Sequence, residues 1–215
     1  MKKKKIILAS QSPRRSEILQ KAKYDFVCFP THVSEILDKN LNGNEQIIDI
    51  ARRKARACQV LLHDQSLVDT LFDLHSDLIL AADTMVCLDG QVLGKPEDEK
   101  MAFRFLKSLS GRMHQVKTAV YFIDLANADE ESLIETTSVE FKTLTDSEIR
   151  NYISTGEPMD KAGAYAIQGL GGKFVSNFIG DYNNVVGLPL HAIEKLFKIK
   201  AWTCKRPPDP NSLKN

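Results

Sequence analysis

The run Leu78-Ile79-Leu80-Ala81-Ala82 sets the tightest limit on the fold. An unbroken apolar stretch of this length reads as a buried strand, and this one delivers Asp83-Thr84 at its end. Lys5 to Ala9 is a second such run, stopping at Ser10-Gln11-Ser12-Pro13. Ser12 followed by Pro13 predicts a helix start, a capping hydroxyl and then a proline whose missing N–H costs nothing, with the helix running to about Ala22. Asp25 to Phe29 reads as another strand. From Asn44 to about Leu62, Ile47, Ala51, Ala55, Cys58 and Leu62 recur three or four apart and make the apolar stripe of a long helix. This order of strand, helix, strand, helix, strand predicts an α/β core.

The remaining pattern extends the sheet. Met85 to Leu88 and Gln91 to Leu93 flank Asp89-Gly90, a hairpin signal. Glu97 to Leu109 is an amphipathic helix with Gly111 available to cap it. Gln115 to Leu125 and Ile134 to Leu144 have strand character, which points to a mixed sheet. Thr145-Asp146-Ser147-Glu148 is a capping box opening a helix that Gly156 should end. Gly156 to Gly187 is rich in glycine and polar residues; Leu188 to about Lys198 is a last helix. Residues 1–200 are expected to form a single domain, 63–77 an insertion, and 201–215 a loose proline-containing tail.

Composition narrows the function classes. A net charge of +1 gives no global basic field for nucleic acid or a membrane surface, so an anion site must come from local clusters of Lys and Arg. Cys28, Cys58, Cys87 and Cys204 form no metal-ligand or C-x-x-C spacing and read as reduced thiols. Ile6 to Ala9 is too short for a signal-peptide core, and no apolar run approaches the ~20 residues of a membrane span, so a cytoplasmic protein is expected.

Four clusters could carry chemistry. Ser10 to Arg15 stands where a strand hands over to a helix, and its two serines and two arginines suit phosphate; alone, it reads equally well as a cap followed by solvated arginines. Asp83 at a strand end could bind a cation or activate water, or could simply cap a turn. Lys95, between Gly94 and Pro96, sits on a constrained backbone, while Lys54 lies at the edge of its helix's apolar stripe, where covering apolar surface is the default. Gly156 to Gly169 mixes tight-turn residues with both charge signs in a segment too polar for core. His63, Asp64, Asp69, Asp73 and His75 read as a solvated extension and not as a metal site.

Taken in order, these segments resemble the Maf-like family of nucleoside triphosphate pyrophosphatases. The resemblance is carried by Leu8-Ala9-Ser10-Gln11-Ser12-Pro13-Arg14-Arg15, Ala82-Asp83-Thr84-Met85-Val86 and Leu93-Gly94-Lys95-Pro96. It continues through Leu109 to Val116, Lys161 to Gly169 and Gly180 to Pro189, so it spans roughly residues 5 to 198. It implies a two-lobed mixed twisted sheet flanked by helices, like that of the inosine-triphosphate pyrophosphatases, with a cleft between the lobes. It further implies hydrolysis of a nucleoside triphosphate to the monophosphate and pyrophosphate, a divalent cation (Mg2+ or Mn2+), and compatibility with a homodimer. Asp83 matches the proton acceptor and is also a metal-ligand candidate with Glu35; Arg14, Thr84 and Gln168 match positions of substrate choice; Ser10, Arg14, Arg15, Lys54 and Lys95 match phosphate-binding positions. Ser34 departs from the pattern, standing where the family often has an acid before the residue aligned as Glu35.

The residues agree with this chemistry. Polyphosphate hydrolysis needs cations to spread transition-state charge and a base or metal to prepare water. A glutamine amide complements the N3–H and O4 edge of uracil or thymine, and Ser12-Pro13-Arg14-Arg15 and Ala164-Tyr165-Ala166-Ile167-Gln168-Gly169 resemble the branch acting on dTTP and UTP. The alternatives are a preference for methylated guanine or other modified nucleotides, and a non-catalytic nucleotide-binding division regulator.

Overall fold

The computed structural model describes residues 3–64 and 77–206. The elements follow the expected order. Strand β1 (Ile6–Leu8), helix α1 (Pro13–Lys21), β2 (Phe26–Cys28) and α2 (Gly43–Asp64) lead into β3 (Leu78–Leu88) and β4 (Gln91–Leu93). Then come α3 (Glu99–Leu109), β5 (Met113–Asp124), β6 (Asp129–Phe141), α4 (Asp146–Ile153), β7 (Val175–Ile179), α5 (Tyr182–Val186) and α6 (Leu190–Ile199). Among the described residues the strands form one seven-stranded sheet, ordered β2-β1-β3-β5-β6-β7 with β4 also on β3. β1 pairs in parallel with β2 and β3, and the remaining pairs are antiparallel, so the sheet is mixed as expected.

The long strand β3 organises the molecule. β1 covers its edge from Leu78 to Leu80 and β4 covers the same edge from Val86 to Leu88. Residues 81–85 between them have no strand on that side among the described residues, and this gap floors the cleft between the lobes. Asp83 therefore lies in mid-strand, not at a strand end as the sequence suggested: β3 continues because β5 pairs with it from Leu78 to Cys87. What ends near Asp83 is the neighbour, β1.

Alternation along β3 sends consecutive side chains to opposite faces. Ile79, Ala81 and Met85 join the apolar stripe of α2 (Ile47, Ile50, Ala51, Ala55, Cys58, Leu62) in one core. Leu78, Leu80 and Ala82 join Ile18 and Leu19 of α1 and Ile193 and Phe197 of α6 in another. Fully buried leucines and isoleucines in these layers each contribute about 1.5–3 kcal/mol relative to exposure. A third core closes the second lobe, where the β3–β4 hairpin and α3 pack on α4, Tyr165 and Phe174.

Several local signals held. Asp89 and Gly90 form the hairpin turn, both at positive φ. Thr145 makes both bonds of its capping box, and Gly111 and Gly156 follow their helices at positive φ. Three differences have physical causes. The Ser12 hydroxyl does not cap α1; the Ser12 amide instead donates to Ser10 Oγ at 3.1 Å. The glycine-rich segment contains β7 and α5 together with three 3-10 turns (Glu157–Asp160, Ala162–Ala164, Leu170–Phe174), too short to show a period. The segment judged too polar for core buries Pro158, Gly163, Ala164 and Tyr165, because its glycines let the backbone pack closely; a Cβ on Gly163 would stand 2.9 Å from the Val86 side chain.

Of the stretch expected as an insertion, residues 65–76 lie outside the described residues. Of the stretch expected as a loose tail, residues 201–206 lie against the body: Lys4 N–H donates to the Thr203 carbonyl at 2.8 Å, and Trp202 packs on Phe122 and Phe197. Residues 207–215 lie outside the described residues.

Candidate active site

The cleft at the β3 gap has a volume of about 1000 Å³. Every site residue expected from the sequence lines it: Ser10, Arg14, Arg15, Glu35, Lys54, Asp83, Thr84, Lys95 and Gln168. The period of β3 explains how neighbours serve different walls. Asp83 shares the face of Ala81 and Met85 and so meets α2, whereas Thr84 shares the face of Ala82 and so meets α1.

On the α2 wall the charges alternate in a chain. Lys54 Nζ donates to Asp83 Oδ1 and to Glu35 Oε1, each at 2.7 Å, and Lys95 Nζ donates to Glu35 Oε2 at 2.7 Å. Lys54 thus enters the cleft instead of covering apolar surface, since two carboxylates wait at the end of its stem. Partial burial pushes the Glu35 carboxyl up, but the hydrogen bonds and charges of the two lysines outweigh it and hold it at about 2. Asp83 is only 9% exposed. Among the described residues its Oδ2 receives no hydrogen bond, leaving one carboxylate oxygen of the chain for a ligand or water.

Glu35 owes its place to a residue the sequence reading passed over. Arg53, beside Lys54 on α2, donates to the carbonyls of Ser34 and Ile36 on either side of Glu35. Arg53 is itself aligned by Asp49, four residues earlier, with Nε to Oδ2 at 2.9 Å. That i,i+4 charge pair was the available signal.

On the α1 wall, Arg15 is tied from all three of its nitrogens. Nε donates to the Gly187 carbonyl at 2.8 Å, Nη1 to Ser10 Oγ at 3.2 Å and Nη2 to Thr84 Oγ1 at 3.2 Å. All three acceptors are neutral, so the cation has no carboxylate bound to it. Burial lowers its pKa against the opposing pull of Asp83, yet an arginine stays protonated throughout. One N–H on each terminal nitrogen is left over, which suits bidentate recognition of a phosphate. Arg14, the preceding residue, lines the cleft without a hydrogen bond among the described residues.

The third wall is the loop from Glu157 to Phe174. Gln168 is exposed at its rim and makes no hydrogen bond among the described residues. The loop is fixed to the hairpin by Gly163 N–H, which donates to the Gly94 carbonyl, just before Lys95, at 3.0 Å. Lys161, ion-paired with Asp160, also lines the cleft, and nothing in its local sequence distinguishes it from a solvated lysine. Tyr165 lines the cleft as well, its hydroxyl 2.8 Å from Nε2 of the buried His114.

The carboxylates that could serve a divalent cation are Asp83, through its free Oδ2 or shared Oδ1, and Glu35, whose two oxygens each keep a lone pair beside the lysine bonds. No cluster of three or more His, Cys, Asp or Glu side chains able to hold a metal occurs among the described residues. This donor set fits Mg2+ or Mn2+ shared with substrate phosphates, because Mg2+ commonly takes one or two carboxylates and fills its remaining positions with phosphate and water. Among the described residues no helix is long and apolar enough to cross a membrane.

The family model described as "Maf-like protein" matches residues 5–199. The chain is 51% identical over 191 residues to a dTTP/UTP pyrophosphatase of Bdellovibrio bacteriovorus, covering 89% of this chain and 96% of that protein. It is 42% identical to a dTTP/UTP pyrophosphatase of Carboxydothermus hydrogenoformans (92% and 98% covered) and 44% identical to one of Thermococcus onnurineus (89% and 95% covered).

Proposed function

The chain belongs to the Maf-like protein family, and from that premise we propose that it hydrolyses dTTP and UTP to the nucleoside monophosphate and pyrophosphate. The observation that carries this reading is the pairing of two walls across one cleft. A chain of lysines and carboxylates ending at Asp83 faces an arginine held only by neutral acceptors. Relatives at 42–51% identity, matched over almost their whole length, are named for this activity.

In this reading the triphosphate lies between the walls. Arg15 and Arg14 take phosphate oxygens from the α1 side, with Lys54 and Lys95 on the other. Their charges spread the negative charge that develops as the phosphoanhydride breaks. Asp83, through the second lone pair of Oδ1, and Glu35 would hold the divalent cation, which would neutralise phosphate charge and acidify water. Lys54 fixes Asp83 through Oδ1, and Oδ2 takes the proton of the attacking water. The water oxygen forms a bond to the α-phosphorus, the bond from that phosphorus to the α–β bridging oxygen breaks, and pyrophosphate leaves. Gln168 meets the N3–H and O4 edge of the base with its own acceptor and donor.

The test is pyrophosphate release from standard and modified nucleotides with Mg2+, with and without a chelator. Turnover is expected to be fastest with dTTP and UTP and to stop on chelation. Asp83→Asn keeps the shape but loses the base and is expected to fall by about a thousandfold, within the range of general-base contributions. Activity within about tenfold of the parent would remove Asp83 from this role.

A further inference from the structure

The Gly180 to Pro189 motif has no part in the reaction just described, yet it stands directly behind Arg15. Two of its backbone carbonyls close a directed circuit. Arg15 Nε donates to the Gly187 carbonyl at 2.8 Å, and the fully buried Thr118 hydroxyl donates to the Asn184 carbonyl at 2.9 Å. Thr84 Oγ1 lies 3.0 Å from Thr118 Oγ1 and receives Arg15 Nη2 at 3.2 Å.

A hydroxyl has one proton, and this fixes the direction of every bond. Thr118 gives its proton to Asn184, so between the two threonines Thr84 must be the donor. Thr84 thus accepts from Arg15 and donates to Thr118, leaving its hydroxyl no proton for a nucleobase. The anchor behind it is rigid. The Asn184 side-chain amide, also fully buried, donates to the Val116 carbonyl and to Thr137 Oγ1, both at 3.0 Å, and Thr137 donates to the Asp181 carbonyl at 3.0 Å. Gly187 has a φ of +122°, which L side chains rarely adopt, so its carbonyl is delivered by a conformation that favours glycine.

We propose that Thr84 and Thr118 are positioning residues for Arg15, and that Thr84 affects turnover by aiming that guanidinium at phosphate and not by reading the base. The inference rests on the proposed role of Arg15 at the phosphates. It gives the Gly180 to Pro189 motif a function: a buried polar brace that keeps one side of the phosphate site aimed before substrate arrives.

The test measures phosphate recognition and base selectivity separately. Binding of inorganic pyrophosphate and of tripolyphosphate is followed by calorimetry, which does not depend on turnover. Selectivity is the ratio of kcat/KM for dTTP to that for dCTP. Thr118→Val is close in shape and removes both the acceptor of the Thr84 proton and the donor to the Asn184 carbonyl. It is expected to weaken both inorganic ligands about tenfold, the scale of one lost buried hydrogen bond, while the dTTP to dCTP ratio stays within about twofold. Thr118→Ser should restore binding. Thr84→Val keeps the side-chain shape, lies in a partly exposed position, and should behave as Thr118→Val does; it decides the matter if the buried variant fails to fold. A shifted nucleotide ratio in Thr84→Val with unchanged pyrophosphate binding would overturn the proposal. So would unchanged pyrophosphate binding in a folded Thr118→Val. If the parent protein binds pyrophosphate but turns over no nucleotide, the proposed function fails while the brace remains measurable.

Discussion

Arg15 and Gln168 line the same cleft and are held in opposite ways. Arg15 rises from a helix, is bonded from each nitrogen, and is backed by buried threonines and an asparagine belonging to β5, β6 and α5. Gln168 sits exposed on a loop of 3-10 turns without a hydrogen bond of its own among the described residues. The triphosphate is common to every nucleotide, so its contacts gain from being aimed in advance. The base is what differs, and its reader stands on a loop that can change without disturbing the sheet. The contrast implies that damage to the Arg15 wall should slow all nucleotides alike, whereas damage to the loop should alter which nucleotide is preferred.

The largest effect short of removing Asp83 is expected from Arg15→Lys. A lysine keeps the charge but cannot satisfy Gly187, Ser10 and Thr84 together and still present two donors to phosphate. Steady-state kinetics should show kcat/KM falling by about a hundredfold, and by the same factor for dTTP, UTP and dCTP. A loss concentrated in one nucleotide would break the contrast, since it would make the buried wall a reader of the base.

A smaller effect with the opposite signature is expected on the loop. The Glu157 carboxylate accepts from Tyr152 Oη at 2.8 Å, Leu170 N at 2.9 Å and Gly171 N at 3.1 Å, so it clamps the turn that follows Gln168. The fit is close: a Cβ on Gly169 would stand 2.3 Å from Glu157 Oε1. Partial burial pushes the Glu157 carboxyl up, but the two amides and the tyrosine hold it below the usual carboxylate range. Glu157→Gln places an amide donor against these donors. KM for dTTP should rise about five- to tenfold with kcat little changed, and the preference over dCTP should shrink. In a Gln168→Ala background the effect on preference should vanish, because the clamp would have nothing left to aim. An equal loss of preference in both backgrounds would sharpen the picture differently, giving the base a second reader on the same loop.

How far the site was legible in the sequence follows the same division. The long helix, the hairpin, the capping box and the buried strand before Asp83 each have a local period or a turn signature, and each formed where expected. The cations and carboxylates of the cleft were legible as well, because Ser10 to Arg15 and Gly94 to Pro96 sit at joints between elements and Asp83 interrupts an apolar strand run. The supports were not. Arg15 meets a carbonyl 172 positions away, and Thr118 meets Asn184 66 positions away, so no window of sequence holds both partners. Thr118 and Thr137 look like ordinary strand threonines until the sheet brings them under α5. From local pattern Lys54 reads as an amphipathic residue and only the family resemblance puts it among the phosphate-binding positions, because what draws it into the cleft is Glu35, placed by Arg53 through backbone carbonyls. Asp83 was misread as a strand end because the termination belongs to β1.

The smallest expected effect concerns pH and again separates the walls. Beneath the base-side loop, burial pushes His114 down to about 4 from an ordinary value near 6.5. In the unfolded chain it binds a proton below about pH 6.5, while the folded protein resists doing so until about pH 4. Stability from this group is therefore present above that window and is lost as pH falls through it. The loss can reach about 3 kcal/mol in full. On the other wall Glu35, held at about 2, stays ionised through the same window, so the lysine–carboxylate chain should persist. Melting temperatures between pH 7 and pH 4 should fall, and the slope should flatten in His114→Gln, which keeps a polar group beside Tyr165 but has nothing to titrate. An unchanged slope would remove His114 as the source. If Lys54→Met flattened it instead, the acid-sensitive part of the cleft would be the charged chain, and the phosphate side would be the less rigidly held of the two.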